Sequence, residues 1–180
     1  VRYSHLIARV REAQPSAIIE IGTWNGDRAR QMLEAAPEAR YVGFDLFDSA
    51  TPATDAVEFN VKPHHSIADV YARLGECGKR ATLIKGNTRH TLAEYEGGPF
   101  DFAWIDGGHS VHTIASDWHY VSKMLAPNAE VWLDDYYTGG PDIGLVGCNA
   151  VVRDLQHELH PAMDRLSGSG YVQMVRVWPT

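Results

Sequence analysis

The chain has 180 residues, with 16 Lys+Arg against 23 Asp+Glu, for a formal net charge of −7. That length fits one domain with a sizeable core, and 44% hydrophobic with 22% charged residues excludes a disordered or collagen-like chain. The acidic balance argues against a nucleic-acid or anionic-membrane surface, which needs clustered Lys and Arg, and no apolar run reaches the roughly 18–20 residues of a membrane span.

Cys77 and Cys148 are far apart and outside any C-x-x-C spacing, so they read as reduced thiols of a cytoplasmic protein. The chain opens at Val1 without Met and without a charged-then-apolar leader, which leaves open whether it is a fragment of something longer.

Leu6, Ile7 and Val10 predict a first helix, ended by Gln14-Pro15. Ala17 to Ile21 is a short apolar run closed by Gly22, the mark of a buried parallel strand. Ala29, Met32, Leu33 and Ala36 recur at helical spacing before Pro37. A second strand is expected over Tyr41–Asp45, followed by a long irregular segment from Phe47 to His65. Ile67, Val70, Tyr71 and Leu74 predict another helix, and Ala81–Lys85 a third strand. Then come Phe100–Asp106 (strand), Val111–Leu125 (helix) and Glu130–Asp134 (strand). Val151, Val152, Leu155 and Leu159 read as a helix stopped by Pro161, and Tyr171–Trp178 as a last strand entered through a Gly168-Ser169-Gly170 turn.

This alternation predicts one α/β domain over residues 1–180. Its sheet is expected to be doubly wound, Rossmann-like and mostly parallel, with helices on both faces and an antiparallel C-terminal strand. Ligands of such sheets sit beyond the carboxyl ends of the strands, where strand order reverses, so the polar residues just after each strand are the candidates.

After the first strand comes Glu20-Ile21-Gly22-Thr23-Trp24-Asn25-Gly26, a turn whose glycines let the backbone approach a ligand closely. The dinucleotide pattern G-x-G-x-x-G is not met, and the preceding acid suits a ligand with a cationic part better than a pyrophosphate. Asp45 ends the second strand, where a carboxylate can take both hydroxyls of a ribose. Trp24, Trp104 and Trp132 are read as core residues, and His112, His119, His157 and His160 as surface or satisfied helix residues. Tyr136 to Pro141 has the composition of a mobile lid.

Glu20-x-Gly22-x-x-x-Gly26, Asp45 about twenty residues on, Gly86-Asn87 and Asp106 together resemble the class I S-adenosylmethionine-dependent methyltransferases, over nearly the whole chain. The resemblance implies S-adenosylmethionine as cofactor, with Gly22, Thr23 and Gly26 shaping the pocket for its methionine part and Glu20 supporting it. It also implies Asp45 on the ribose, Asn87 or its neighbours at the adenine, and Asp106 at the cofactor.

Asp106, at the end of the fourth strand, and Asp134-Asp135, at the end of the fifth, lie on neighbouring strands of the inferred sheet, about 4.8 Å apart. Three carboxylates meeting there would repel unless a cation sat between them, and all-oxygen ligation suits Mg²⁺, or Mn²⁺ as substitute. The other reading leaves Asp135 solvated, Asp134 capping a turn and only Asp106 near the cofactor. Asp106, His109 and the Asp134-Asp135 pair resemble the metal-dependent O-methyltransferases of the catechol and macrolide-sugar types. That likeness implies Asp106, Asp134 and Asp135 as metal ligands and His109 as general base.

The expected activity is methyl transfer to a hydroxyl of a small molecule, which a divalent cation would orient and acidify while a histidine accepts the proton. Neither nucleic acid nor membrane is expected as a partner, and a homo-oligomer is left open. The alternatives are a metal-independent methyltransferase acting on a nitrogen or carboxyl acceptor, and a cofactor-binding domain without catalysis.

Overall fold

A computed structural model describes residues 3–139, 142–165 and 171–178. Helix α1 (Ser4–Ala13) buries Leu6 and Val10 and ends where Gln14 turns into the left-handed region ahead of Pro15. Strand β1 (Ala17–Ile21) is buried at all five positions, because helices cover both faces of the sheet. Ile18 packs with Leu6, Val10, Met32 and Trp104 on one side, and Ile19 and Ile21 pack with Ile114, Val121 and Leu133 on the other. Burial of each such side chain is worth about 1.5–3 kcal/mol.

Helix α2 (Asp27–Ala35), strand β2 (Arg40–Asp45) and helix α3 (Pro52–Glu58) follow, then α4 (Ile67–Leu74) and strand β3 (Ala81–Lys85). The short helix α5 (Thr88–Thr91) leads to β4 (Phe100–Ile105), α6 (Val111–Val121) and β5 (Leu125–Thr138). Helix α7 (Asn149–Val152), β6 (Gln156–Arg165) and β7 (Tyr171–Trp178) complete the order. The seven-stranded sheet runs β3-β2-β1-β4-β5-β7-β6. The first five strands in that row are parallel, and β7 is antiparallel to both of its neighbours. Strand order reverses between β1 and β4, which opens a crevice beyond their carboxyl ends.

Three expectations need correction. The helix expected to reach Leu125 stops at Val121, and after a tight turn over Ser122–Met124 the chain is already in β5. Pro127 and the left-handed Asn128 (φ 65°) forbid a longer helix. The helix expected over 151–159 is only α7; from Gln156 the chain is the edge strand β6. Val151, Leu155 and Leu159 are spaced by four, which suits a helical face and also the even spacing of a strand face, and β7 needed a partner. Finally, the segment after Phe47 is not wholly irregular. Thr51 and Thr54 form a reciprocal capping box with Pro52 at the first helical position, and α3 forms there without burying a residue.

The expected turn at 168–170 lies outside the described residues, as do residues 140 and 141 of the expected lid, whose Tyr136–Thr138 belong to β5. Both cysteines are free thiols. Among the described residues no helix is long and apolar enough to cross a membrane.

Candidate active site

A cavity of about 440 Å³ occupies the crevice, roofed by α3 and the residues after it. Gly22, Asp45, Asn87, Asp106 and His109 all line it, so four strand ends contribute to one site. Gly22 has φ +91°, and a Cβ there would fall on the main-chain carbonyl of Asp106 and lie 2.7 Å from Gly107 Cα. The ends of β1 and β4 are joined here by the Asp106 amide donating to Ile21 O, while the Gly22 amide donates to Phe44 O of β2, both at 2.8 Å. Gly26, at φ +82°, faces Val70, so the turn also seats α4.

Asp45 is held from two sides. Oδ2 accepts from the Trp24 amide and Oδ1 from the Phe47 amide, both at 2.7 Å. Each carboxylate oxygen keeps a further lone pair for the cavity it lines. The Asn87 side chain caps α5 by accepting from the Arg89 amide at 3.0 Å while lining the same cavity.

Glu20, Thr23 and Gly26 do not line the cavity; they lie behind the turn. Glu20 alternates with Ile21 along β1 and so points to the opposite face, fully buried, with the Tyr41 hydroxyl donating to it and Thr23 Oγ1 3.1 Å from that hydroxyl. Burial, opposed by that hydrogen bond, pushes its carboxyl up to about 8. Its place is that of a support under the turn. Trp24 corrects the expectation that it is core. It is 37% exposed, its indole N–H donates to Pro63 O at 2.8 Å, and its ring stands in the cavity wall. Trp104 and Trp132 are fully buried, as expected. His112, His119 and His157 are exposed, and His160 lies on Trp132; His157 and His160 belong to β6 rather than to a helix.

The register pairing Ile105 with Leu133 brings Asp106 and Asp134 side by side. The three carboxylates nevertheless do not converge here, because successive strand residues face opposite sides. Asp134 accepts from the Tyr3 hydroxyl at 3.1 Å on the α1 face, and Asp135, at φ 59°, lies on the cavity side with Oδ2 3.3 Å from His109 Nε2. Among the described residues no three His, Cys, Asp or Glu side chains are drawn around one point. The donor chemistry still fits a hard divalent cation. Asp134 and Asp135 are only 3% and 8% exposed and lie on β5, the strand beside the one that Asp106 follows, so the three supply hard carboxylate oxygens of the kind such a cation takes.

His109 is the best-defined group of the site. Its Nδ1–H donates to the main-chain oxygen of Glu58 at 2.7 Å, and Nε2 stands 3.3 Å from Asp135 Oδ2. A second cavity, of about 320 Å³, is lined by Phe59, Tyr137, Leu145, Val146 and Asp142, and His109 stands in its wall too. The imidazole therefore sits where two cavities meet.

Sequence reasoning missed Glu58 and Asp117. Asp117, on α6, is fully buried in the cavity wall, and among the described residues neither carboxyl oxygen has a partner at full hydrogen-bond geometry. Burial, opposed by the Thr88 hydroxyl and reinforced by the negative charge of Glu58, raises its pKa to about 7. The Thr51-Pro52 pair was the one available signal for α3, and nothing in the pattern pointed to Asp117.

A parallel sheet with this strand order, a glycine turn after β1 and an acid ending β2 defines a class I methyltransferase fold. The profile of a methyltransferase-domain family matches residues 19–136, and the chain belongs to that family, the S-adenosylmethionine-dependent methyltransferases. Solved structures share the fold. TomG, an O-methyltransferase from Streptomyces achromogenes involved in tomaymycin synthesis and solved in complex with SAM, superposes with a TM-score of 0.64 at 20% identity over 98% of this chain and 78% of that one. Cofactor-bound Rv0187 from MTB gives 0.68 at 17% identity, covering 97% and 78%. The O-methyltransferase from Bacillus cereus in complex with SAH gives 0.63 at 14%, covering 96% and 78%. No curated protein matches the sequence.

Proposed function

We propose that this methyltransferase transfers the methyl group of S-adenosylmethionine to a hydroxyl of a small molecule, with His109 as general base. The observation that carries this reading is the position of His109 Nε2 at the junction of the two cavities, with Nδ1 fixed by Glu58 O. The larger cavity suits the cofactor: it lies beyond the ends of β1, β2, β3 and β4, and Asp45 lines it with a carboxylate able to take the ribose hydroxyls. Bound there, S-adenosylmethionine supplies an electrophilic methyl group on a sulfonium.

Asp45 would accept from the ribose hydroxyls with the lone pairs left over from Trp24 and Phe47, and Asn87 would meet the adenine. The acceptor would sit in the smaller cavity, where Phe59, Tyr137, Leu145 and Val146 offer apolar surface. His109 Nε2 takes the hydroxyl proton as the oxygen attacks, and Asp135, 3.3 Å away, stabilises the resulting imidazolium. Holding oxygen and methyl in line supplies much of the remaining acceleration. Asp106, Asp134 and Asp135 are the residues that would hold Mg²⁺ or Mn²⁺, which would acidify and orient the hydroxyl.

The test is release of S-adenosylhomocysteine with a panel of hydroxylated, amine and carboxylate acceptors. Turnover confined to hydroxyls supports the reading; turnover confined to nitrogen or carboxyl acceptors overturns it.

A further inference from the structure

We propose that the acceptor is a hydroxylated amine, an apolar body whose cation Asp142 receives while its hydroxyl meets His109; this rests on the reading of the smaller cavity as the acceptor site. At about 320 Å³ that cavity lies at the low end of small-molecule sites, roughly 300–1,000 Å³, and so takes a small acceptor. Phe59, Tyr137, Leu145 and Val146 make most of its wall apolar, and Phe59 and Leu145 are still 58% and 62% exposed. An apolar acceptor body would cover both and remove that surface from water. Besides the Tyr137 phenol, two polar side chains share the wall, His109 and Asp142. They stand on segments tied to each other. The Asp142 main-chain oxygen accepts from the Leu145 amide at 2.9 Å and the Val146 amide at 3.1 Å, so the acid and part of the apolar wall belong to one turn. That turn is joined to the loop of His109, since Leu145 O accepts from the Val111 amide at 3.0 Å and the Gly147 amide donates to His109 O at 2.8 Å. Oδ1 of Asp142 accepts from the Gly144 amide at 2.8 Å, which orients the carboxylate and leaves the lone pairs of Oδ2 for a ligand.

Charge selects the class of acceptor. Among the described residues neither Lys nor Arg lines the smaller cavity; Lys62 and Arg89 line the larger one. Asp135, 3.3 Å from His109 Nε2, adds a second carboxylate on this side. An anionic group on the acceptor would enter an apolar wall with carboxylates near it and no cation to pair with, so desolvation and repulsion both oppose it. An ammonium meets Asp142 in a charge-assisted hydrogen bond, and the same carboxylate draws cations to the mouth of the site. A polyol would hydrogen-bond Asp142 but would set its other hydroxyls against apolar side chains. In the transfer step the acceptor O–H gives its proton to His109, the bond from sulfur to methyl breaks as the bond from oxygen to methyl forms, and S-adenosylhomocysteine leaves. An ammonium has no lone pair, so its pairing with Asp142 also keeps the methyl group on oxygen.

The experiment measures S-adenosylhomocysteine release, and the methylated product by mass spectrometry, with two matched sets of acceptors. One set is tyramine, ethylphenol and hydroxyphenylpropionate; the other is aminocyclohexanol, methylcyclohexanol and hydroxycyclohexanecarboxylate. In each set that turns over, the amine should have the highest kcat/KM, about fivefold above its neutral counterpart, the upper end for an ion pair that stays part-exposed, and the carboxylate the lowest. Asp142→Asn, whose amide oxygen still accepts from Gly144, should erase the advantage of the amine, and Asp142→Lys should reverse the order of amine and carboxylate. Calorimetric titration with S-adenosylhomocysteine checks that each variant is folded. Equal kcat/KM across the three charges, a preference for carboxylates, turnover of neither amine, or an Asp142→Asn enzyme that keeps the amine preference overturns the proposal. Turnover of the neutral hydroxyls in any of these cases leaves the hydroxyl reading standing. A methyl group found on nitrogen alone overturns both, so the two failures are distinguishable.

Discussion

Asp45 Oδ2 accepts the main-chain amide of Trp24 at 2.7 Å, which ties the end of β2 to the glycine turn after β1. One carboxylate thus shapes the turn and faces the cavity it encloses. Asp45→Ala should weaken binding of S-adenosylhomocysteine by roughly 1–3 kcal/mol, the loss expected for charge-assisted hydrogen bonds. Titration calorimetry reads this directly, and unchanged affinity would remove Asp45 from the ribose site.

Gly22→Ala and Gly75→Ala form a matched pair. Both glycines have positive φ, but a Cβ on Gly22 meets the Asp106 main chain whereas a Cβ on Gly75 meets nothing within 4 Å. The backbone conformation alone should cost each variant about 1–3 kcal/mol. Gly22→Ala should lose more and should also lose cofactor binding, as measured by urea denaturation and calorimetry. Equal losses for the two would mean that the β1–β4 approach is not as tight as the structure has it.

Asp117 predicts a pH dependence of stability. Its carboxyl is raised from 3.8 to about 7 in the folded protein, so between those values the folded state holds a proton that the unfolded state has released. Stability contributed this way is present in acid and is lost as pH rises toward 7. Glu20, raised from 4.5 to about 8, acts in the same direction over a slightly higher window. Asp117→Asn should therefore flatten the fall in stability between pH 5 and 7 without abolishing it, by about 1.4 kcal/mol per pH unit at most. Identical slopes in urea denaturation series would show that Asp117 titrates normally.

Two of the parallel strands were legible to the residue. Ala17–Ile21 and Ala81–Lys85 stand where their apolar or β-branched runs put them, and the reversal of strand order followed from the alternation of strands and helices. Gly22, Asp45, Asn87, Asp106 and His109 line one cavity because each stands at or just after a strand end, and the fold gathers strand ends. Three things were hidden. A spacing of four residues does not separate a helix face from a strand face, which misplaced 156–159. Helix α3 has no apolar stripe because it buries nothing, so neither it nor Glu58 left a periodic trace. The adjacency of Asp134 and Asp135 suggested convergence, whereas strand alternation sends one to Tyr3 and the other to His109.

That separation makes chelation informative. If Asp106, Asp134 and Asp135 hold a divalent cation during turnover, EDTA should abolish methyl transfer, Mg²⁺ should restore it, and cofactor affinity should persist throughout. Asp134→Asn should mimic chelation, an amide being the poorer ligand for a hard dication. Full turnover in EDTA would reject the cation and leave His109 and Asp135 to act alone.

The most direct measurement is acceptor-dependent formation of S-adenosylhomocysteine by His109→Ala beside the wild type, with cofactor affinity recorded for both. The expected result is turnover lowered by about 10²–10⁴, the contribution of a general base, with cofactor affinity nearly intact. A His109→Ala enzyme that binds the cofactor and turns over at the wild-type rate would contradict the placement of the reaction at the junction of the two cavities.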